Sequence, residues 1–170
     1  MKFVSDFHIH SPYSRAVSKE MTLENLDLWA RRKGITLMGT GDFTHPAWFK
    51  EIKTKLEPAE EGLYKLKTMD NGRPASGTRF LLTVEISSIY SKGGKARRIH
   101  TLIFAPSIET VEKINTQLGW IGNIKSDGRP ILGLDAKELT KIALEIDPQC
   151  LIVPAHCLPQ HTLIHTRYEF

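Results

Sequence analysis

An α/β fold organised around a parallel sheet or barrel is predicted by two features of this 170-residue chain. Strand-like and helix-like stretches alternate along it, and a histidine or carboxylate recurs at each predicted strand. In residues 2–10 apolar and polar side chains alternate, with Phe3, Phe7 and Ile9 carrying a strand signal. Thr22 reads as the N-cap of a helix with Leu23, Leu26, Trp29 and Ala30 at helical spacing, closed by Gly34. Residues 35–40 form a second short strand running into Gly41-Asp42. Pro46 opens a helix carrying Trp48, Phe49, Ile52 and Leu56, and Pro58 stops it.

A loop-rich stretch follows over residues 60–78, with turn signals at Asn71-Gly72 and Ser76-Gly77. Residues 80–90 are mostly apolar and β-branched, a third strand; Gly93-Gly94 turns the chain, and residues 99–105 form a fourth. Ser107 caps a helix with Val111, Ile114 and Leu118 on one face, and Asp127-Gly128 marks a loop. Asp135 opens a further helix with Leu139, Ile142 and Leu144 towards the core, and Pro148 closes it. Residues 151–153 are a fifth strand that leads into Pro154-Ala155-His156. Periodicity alone also fits an open Rossmann-type sheet, but no G-x-G-x-x-G or P-loop follows any strand, so nothing supports a nucleotide cofactor.

Composition sets broad limits. The hydrophobic fraction of 41% and charged fraction of 25% are ordinary for one globular domain. The net charge of +4 suits a phosphate-bearing partner. No apolar run has the character of a signal peptide or membrane span, and two cysteines, Cys150 and Cys157, make no disulfide framework. A cytoplasmic, reducing setting is the expectation.

The chemistry starts at Asp6-Phe7-His8-Ile9-His10. Residues two apart on a strand share a face, so Asp6, His8 and His10 are expected to converge as a metal-ligand cluster. Asp6 would be a ligand or a partner that orients an imidazole. Asp42 sits where the second strand gives way to a loop, which suits a ligand or a general base; His45, just before Pro46, carries less weight. Glu85 lies in an otherwise apolar strand, where a carboxylate is costly unless paired or metal-bound. His100 and His156 complete the series. Taken singly, each is equally at home as a satisfied core or surface residue; together they mark five strands in turn. Mixed histidines and carboxylates favour zinc, manganese or iron over calcium. More ligands than one tetrahedral zinc needs points to several ions. Such sites suit phosphate-ester hydrolysis, one ion activating water and its neighbours stabilising the attacking and leaving oxygens.

These residues resemble the PHP (polymerase and histidinol phosphatase) superfamily, whose opening D-x-H-x-H motif matches Asp6 to His10. Gly41-Asp42, Glu85, His100 and Pro154-Ala155-His156 fall in the order of its later motifs. The resemblance implies a distorted, TIM-like seven-stranded (β/α) barrel holding up to three metal ions, of which about five strands are present here. Within the superfamily, residues 6–15, 39–46, 85–98, 100–106 and 126–133 are most similar to endonuclease Q and its bacterial relatives. That similarity implies metal-dependent nicking of DNA on the 5′ side of deaminated bases such as uracil and hypoxanthine, or at abasic sites. Where many superfamily members have Asp-His, this chain has Asp42-Phe43, and Ala16 stands where some phosphatases carry a third early histidine.

On this resemblance His8, His10, Glu85, His100 and His156 hold metal, zinc or manganese being the expected ions. Asp42 is a ligand or proton acceptor, Asp42 and Glu85 are the catalytic carboxylates, and Asp6 orients the cluster. Residues 1–156 then form the N-terminal part of the phosphoesterase domain. Residues 157–170 resemble nothing in the family, and the late Asp-x-His motif is missing; a truncated or frameshifted frame is the expectation. Such a chain is expected to self-associate through an open barrel edge and to be inactive alone, although His161 and His165 at i, i+4 offer substitute ligands. Lys92, Lys95, Arg97 and Arg98 crowd one turn and are expected to grip a DNA backbone, with Arg73, Arg79 and Arg129 as further contacts. A phosphatase of the histidinol-phosphate kind and a metal-binding module without activity are the rival readings.

Overall fold

Strand β5, Arg79–Lys92, is the element around which the others are arranged. In the computed structural model, residues 2–67 and 77–156 are described. Among them the chain runs β1 (Val4–Asp6), α1 (Leu23–Lys33), β2 (Ile35–Gly39), α2 (Pro46–Lys55), β3 (Leu56–Pro58), β4 (Tyr64–Leu66) and β5. It continues through β6 (Lys95–Ala105), α3 (Ile108–Ile121), β7 (Ile131–Leu132), α4 (Ala136–Ile146) and β8 (Leu151–Ala155). The eight strands form one open, mixed sheet.

Strand alternation on β5 separates core from site. Phe80, Leu82, Val84 and Ile86 are fully buried in the hydrophobic core, while Thr83, Glu85 and Ser87 occupy the intervening positions. β1, β2 and the start of β5 are parallel. β6 returns antiparallel to β5 through Gly93-Gly94, both at positive φ as a two-residue hairpin turn demands. β8 then pairs antiparallel with β6, with His100 opposite Ala155.

The helices form where their caps predict. Thr22 Oγ1 accepts from Asn25 N and Gly34 closes α1 in the left-handed region; Ser107 and Asp135 cap α3 and α4 with side-chain oxygens. Pro46 starts α2, and Trp48, Phe49 and Ile52 anchor it in the core. No described helix is long and apolar enough to cross a membrane.

All five expected strands are present, and the structure adds β3, β4 and β7, too short for a sequence pattern to reveal. The expectation of an all-parallel sheet fails at β6, because a two-residue turn can only reverse the chain. The first strand stops at Asp6 and is an exposed edge, so His8 and His10 lie in the segment beyond it. α2 ends at Lys55 rather than at Pro58, because residues 56–58 pair with β4 instead. Trp29 and Leu144 face solvent; Ala30 and Ala143 take the core positions beside them. Arg73, Cys157, His161 and His165 lie outside the described residues.

The loop after β2 is held against β5 and the post-β1 segment. Thr40 N donates to Leu81 O at 2.8 Å and Gly41 N to Thr83 Oγ1 at 2.8 Å. Gly41 has φ +65°, and a Cβ there would sit 2.5 Å from the Ile9 carbonyl oxygen. Gly41→Ala is therefore expected to cost about 2 kcal/mol or more, from backbone strain plus the clash. Urea denaturation measures it; a loss below about 0.5 kcal/mol, the range of ordinary surface substitutions, would contradict this close approach.

Candidate metal centre

Glu85 sits fully buried in mid-β5, and both its oxygens are occupied by imidazoles from three separate parts of the chain. His8 Nε2 lies 3.3 Å and His10 Nε2 3.1 Å from Oε2. His100 Nδ1 lies 2.7 Å and His156 Nε2 3.5 Å from Oε1. Two of these imidazoles follow β1, one lies on β6 diagonal to Glu85 across the ladder, and one follows β8. His156 takes φ +54°, a left-handed conformation that turns the chain just after the strand.

Ligand atoms from His8, Glu85 and His156 lie within 4.8 Å of one another, an arrangement able to hold a metal ion. The donor chemistry fits zinc or manganese, since imidazole and carboxylate suit both. The predicted residues His8, His10, Glu85, His100 and His156 are thus brought together.

Asp42 and Asp6 are placed differently from the expectation. Asp42 is fully buried at φ +50°, and its oxygens are already committed. Ser11 N donates to Oδ2 at 2.6 Å, the Ser11 and Ser14 hydroxyls at 2.7 and 2.8 Å, and His10 Nδ1 contacts Oδ1 at 3.0 Å. Asp42 therefore stands behind His10 and fixes its ring, leaving Nε2 directed at Glu85. Gly128 packs against it; a Cβ there would lie 2.3 Å from Asp42 Oδ2. Asp6, the residue expected to orient an imidazole, is exposed and lines a groove beside α1 with Ile9, Met21 and Leu26. The reason is that strand alternation ends with β1 and does not extend to His8 and His10.

Ser11 and Ser14 were not singled out in the sequence; small hydroxyl residues in a Ser-Pro-Tyr-Ser run look like ordinary turn formers. Arg129, expected only as a DNA contact, reaches Glu85 Oε2 with Nη1 at 3.5 Å. Arg79 is paired instead with Glu60, and Lys92 with Asp135 at 2.6 Å. Lys95, Arg97 and Arg98 remain exposed on the hairpin. His45 occupies the N-cap position of α2 without a side-chain capping bond and stacks on Tyr13, and its burial lowers its pKa.

The cluster shifts its own titration. The hydrogen bond to Asp42, then that to Glu85, raises His10 to about 9 against the opposing effect of burial. Burial pushes Glu85 upward, but the hydrogen bonds from His10 and His8 overcome it and hold the carboxyl well below its usual range.

A mixed α/β sheet carrying a buried carboxylate among histidines defines the chain as a candidate metal-centre protein. No family model matches it. An uncharacterized protein of Methanocaldococcus jannaschii is 34% identical over 160 residues, which is 94% of this chain and 17% of that protein. The crystal structure of the lesion-specific endonuclease PfuEndoQ from Pyrococcus furiosus superposes with a TM-score of 0.74 at 37% identity. It covers 89% of this chain and 34% of that one. Endonuclease Q bound to a 27-mer duplex substrate with an abasic lesion at its active site gives a TM-score of 0.73, with the same identity and coverage. The chain thus spans about a third of the solved endonuclease Q structures it resembles.

In metal-free protein, the raised His10 contributes stability that is fully present below pH 6.5 and lost as pH rises through about 9. Metal uptake should show the opposite trend, tightening over that window as the competing proton leaves. Denaturation in chelator and zinc titration between pH 6 and 9 check both, with a loss of stability of up to about 3 kcal/mol expected. Stability and metal affinity that rise together would contradict the assignment of His10.

Proposed function

We propose that this chain forms the N-terminal part of a PHP-type, metal-dependent phosphoesterase whose activity is nicking DNA on the 5′ side of deaminated bases or at abasic sites. The observation that carries this reading is Glu85, buried and contacted by four histidines at 2.7–3.5 Å. In this reading residues 1–156 belong to a barrel of that type, and the endonuclease Q structures support DNA as the substrate.

His8, His10, Glu85, His100 and His156 would hold divalent ions, with zinc or manganese the best match to the donors and up to three ions in a complete barrel. Such ions supply Lewis acidity and activate water at neutral pH. The chain's own residues do the rest. Asp42 holds the His10 ring in one orientation, and Ser11 and Ser14 hold Asp42. Glu85 contacts His8 and His10 through Oε2 and His100 and His156 through Oε1, so both of its oxygens face the cluster. Lys95, Arg97 and Arg98 would add sequence-independent backbone contacts. The β1 and β8 edges expose Phe3, Val4, Leu151 and Val153, which supports pairing of these edges with further polypeptide, including a second copy.

The test compares a uracil- or abasic-site duplex with a simple monophosphate ester, using chelator-treated protein resupplied with zinc or manganese. Nicking confined to the 5′ side of the lesion, weak from this N-terminal part alone, is expected, and it is lost in the His8→Ala, His10→Ala double variant together with most of the bound metal. Lys95, Arg97 and Arg98 replaced together by Ala should make the slope of log affinity against log salt shallower by about 2–3. Hydrolysis of the monophosphate without nicking would favour a phosphatase. Unchanged metal content in a folded double variant would remove the metal assignment altogether.

A further inference from the structure

Among the described residues, Arg129 is the one partner at ion-pair distance from Glu85 that is not an imidazole. We infer that it is a substrate residue, whose guanidinium binds a non-bridging oxygen of the scissile phosphodiester; the inference rests on the phosphoesterase reading above.

The backbone under Arg129 is fixed from both sides. Gly128 N donates to Tyr13 O at 3.2 Å, Arg129 N to Asp127 Oδ1 at 3.0 Å, and Ser87 N to Pro130 O at 3.0 Å. One residue further on, Ile131 enters β7 and pairs with Ser87, two residues along β5 from Glu85 itself. Gly128 lies against Asp42 so closely that no side chain fits. A three-residue segment is thus tied to the two carboxylates of the site, and Arg129 starts from a preset position beside the cluster.

Engaging both Glu85 oxygens does not require this residue. Four imidazoles already contact the carboxylate, and Arg129 touches it through a single Nη1 atom at 3.5 Å, as far away as His156 Nε2. Its side chain is 42% exposed, and its other N–H donors have no partner among the described residues. A guanidinium carries five donors in a planar fork and stays charged at every accessible pH. Uncommitted donors at the rim of the cluster match a phosphate oxygen, where charge accumulates as the P–O bonds exchange. A lysine at the same place would supply charge without the fork.

The experiment uses inorganic phosphate as the probe and the full chain loaded with zinc, comparing wild type with Arg129→Ala, Arg129→Gln and Arg129→Lys by zinc analysis and calorimetric phosphate titration. Zinc uptake should match wild type in all three variants. Phosphate affinity should fall by about 10- to 100-fold in Arg129→Ala and Arg129→Gln, with partial recovery in Arg129→Lys. If the alanine variant does not fold, the glutamine variant, which keeps most of the side-chain bulk without the charge, decides. Unchanged phosphate affinity with full zinc loading would overturn the inference. So would loss of zinc in step with loss of phosphate, since that makes the residue a structural counter-ion of Glu85. Wild-type protein that takes up no zinc is a different result, which removes the phosphoesterase reading; phosphate binding by the metal-free chain that persists in Arg129→Ala would then overturn the role of Arg129 as well.

Discussion

A carboxylate in the middle of a buried strand governs this structure. Glu85 has Val84 and Ile86 beside it in the core, and an unpaired charge there would be strongly destabilising. Its stability therefore depends on hydrogen-bonding partners brought from elsewhere in the chain. The segment after β1, strand β6 and the end of β8 each deliver them, and the sheet order that makes this possible is the order of the whole fold. The parallel β1–β2–β5 arrangement brings His8 and His10 to one carboxylate oxygen of Glu85. The β5–β6 hairpin and its β8 neighbour bring His100 and His156 to the second carboxylate oxygen.

Behind this cluster lies a supporting layer that is polar, buried and nearly complete. Asp42 is the centre of that layer, with both oxygens engaged by Ser11, Ser14 and His10. Its left-handed backbone and the glycines at 41 and 128 are needed for close approach rather than flexibility: neither glycine could carry a Cβ without meeting Ile9 O or Asp42 Oδ2. Rigid placement of His10 follows, because a ring held at Nδ1 by a buried carboxylate has little freedom at Nε2.

Much of this was legible in the sequence, and the misses have physical causes. His8 and His10 stood out through their spacing, and Glu85 through its charge in an apolar run. The helices were legible because caps and apolar spacing are local signals: Thr22, Ser107 and Asp135 begin α1, α3 and α4 as expected. That Asp42 rather than Asp6 would orient an imidazole was not legible. It depends on where β1 stops, and on a contact between residues 10 and 42 that no local pattern encodes. Arg129 depends likewise on β7, a two-residue strand whose pairing with β5 is entirely tertiary. The hairpin cations separated for a similar reason: Lys92 finds Asp135 only because α4 begins beside the strand.

The central claim is that the Glu85 cluster is a metal centre, and anomalous X-ray diffraction tests it most directly. Crystals of the chain grown with zinc, measured on both sides of the zinc absorption edge, should show an anomalous peak bounded by His8, Glu85 and His156. The ligand atoms should close to about 2.0–2.2 Å from the peak. An occupied zinc position elsewhere, with the four imidazoles still in contact with the Glu85 carboxylate and no anomalous density between them, would contradict it.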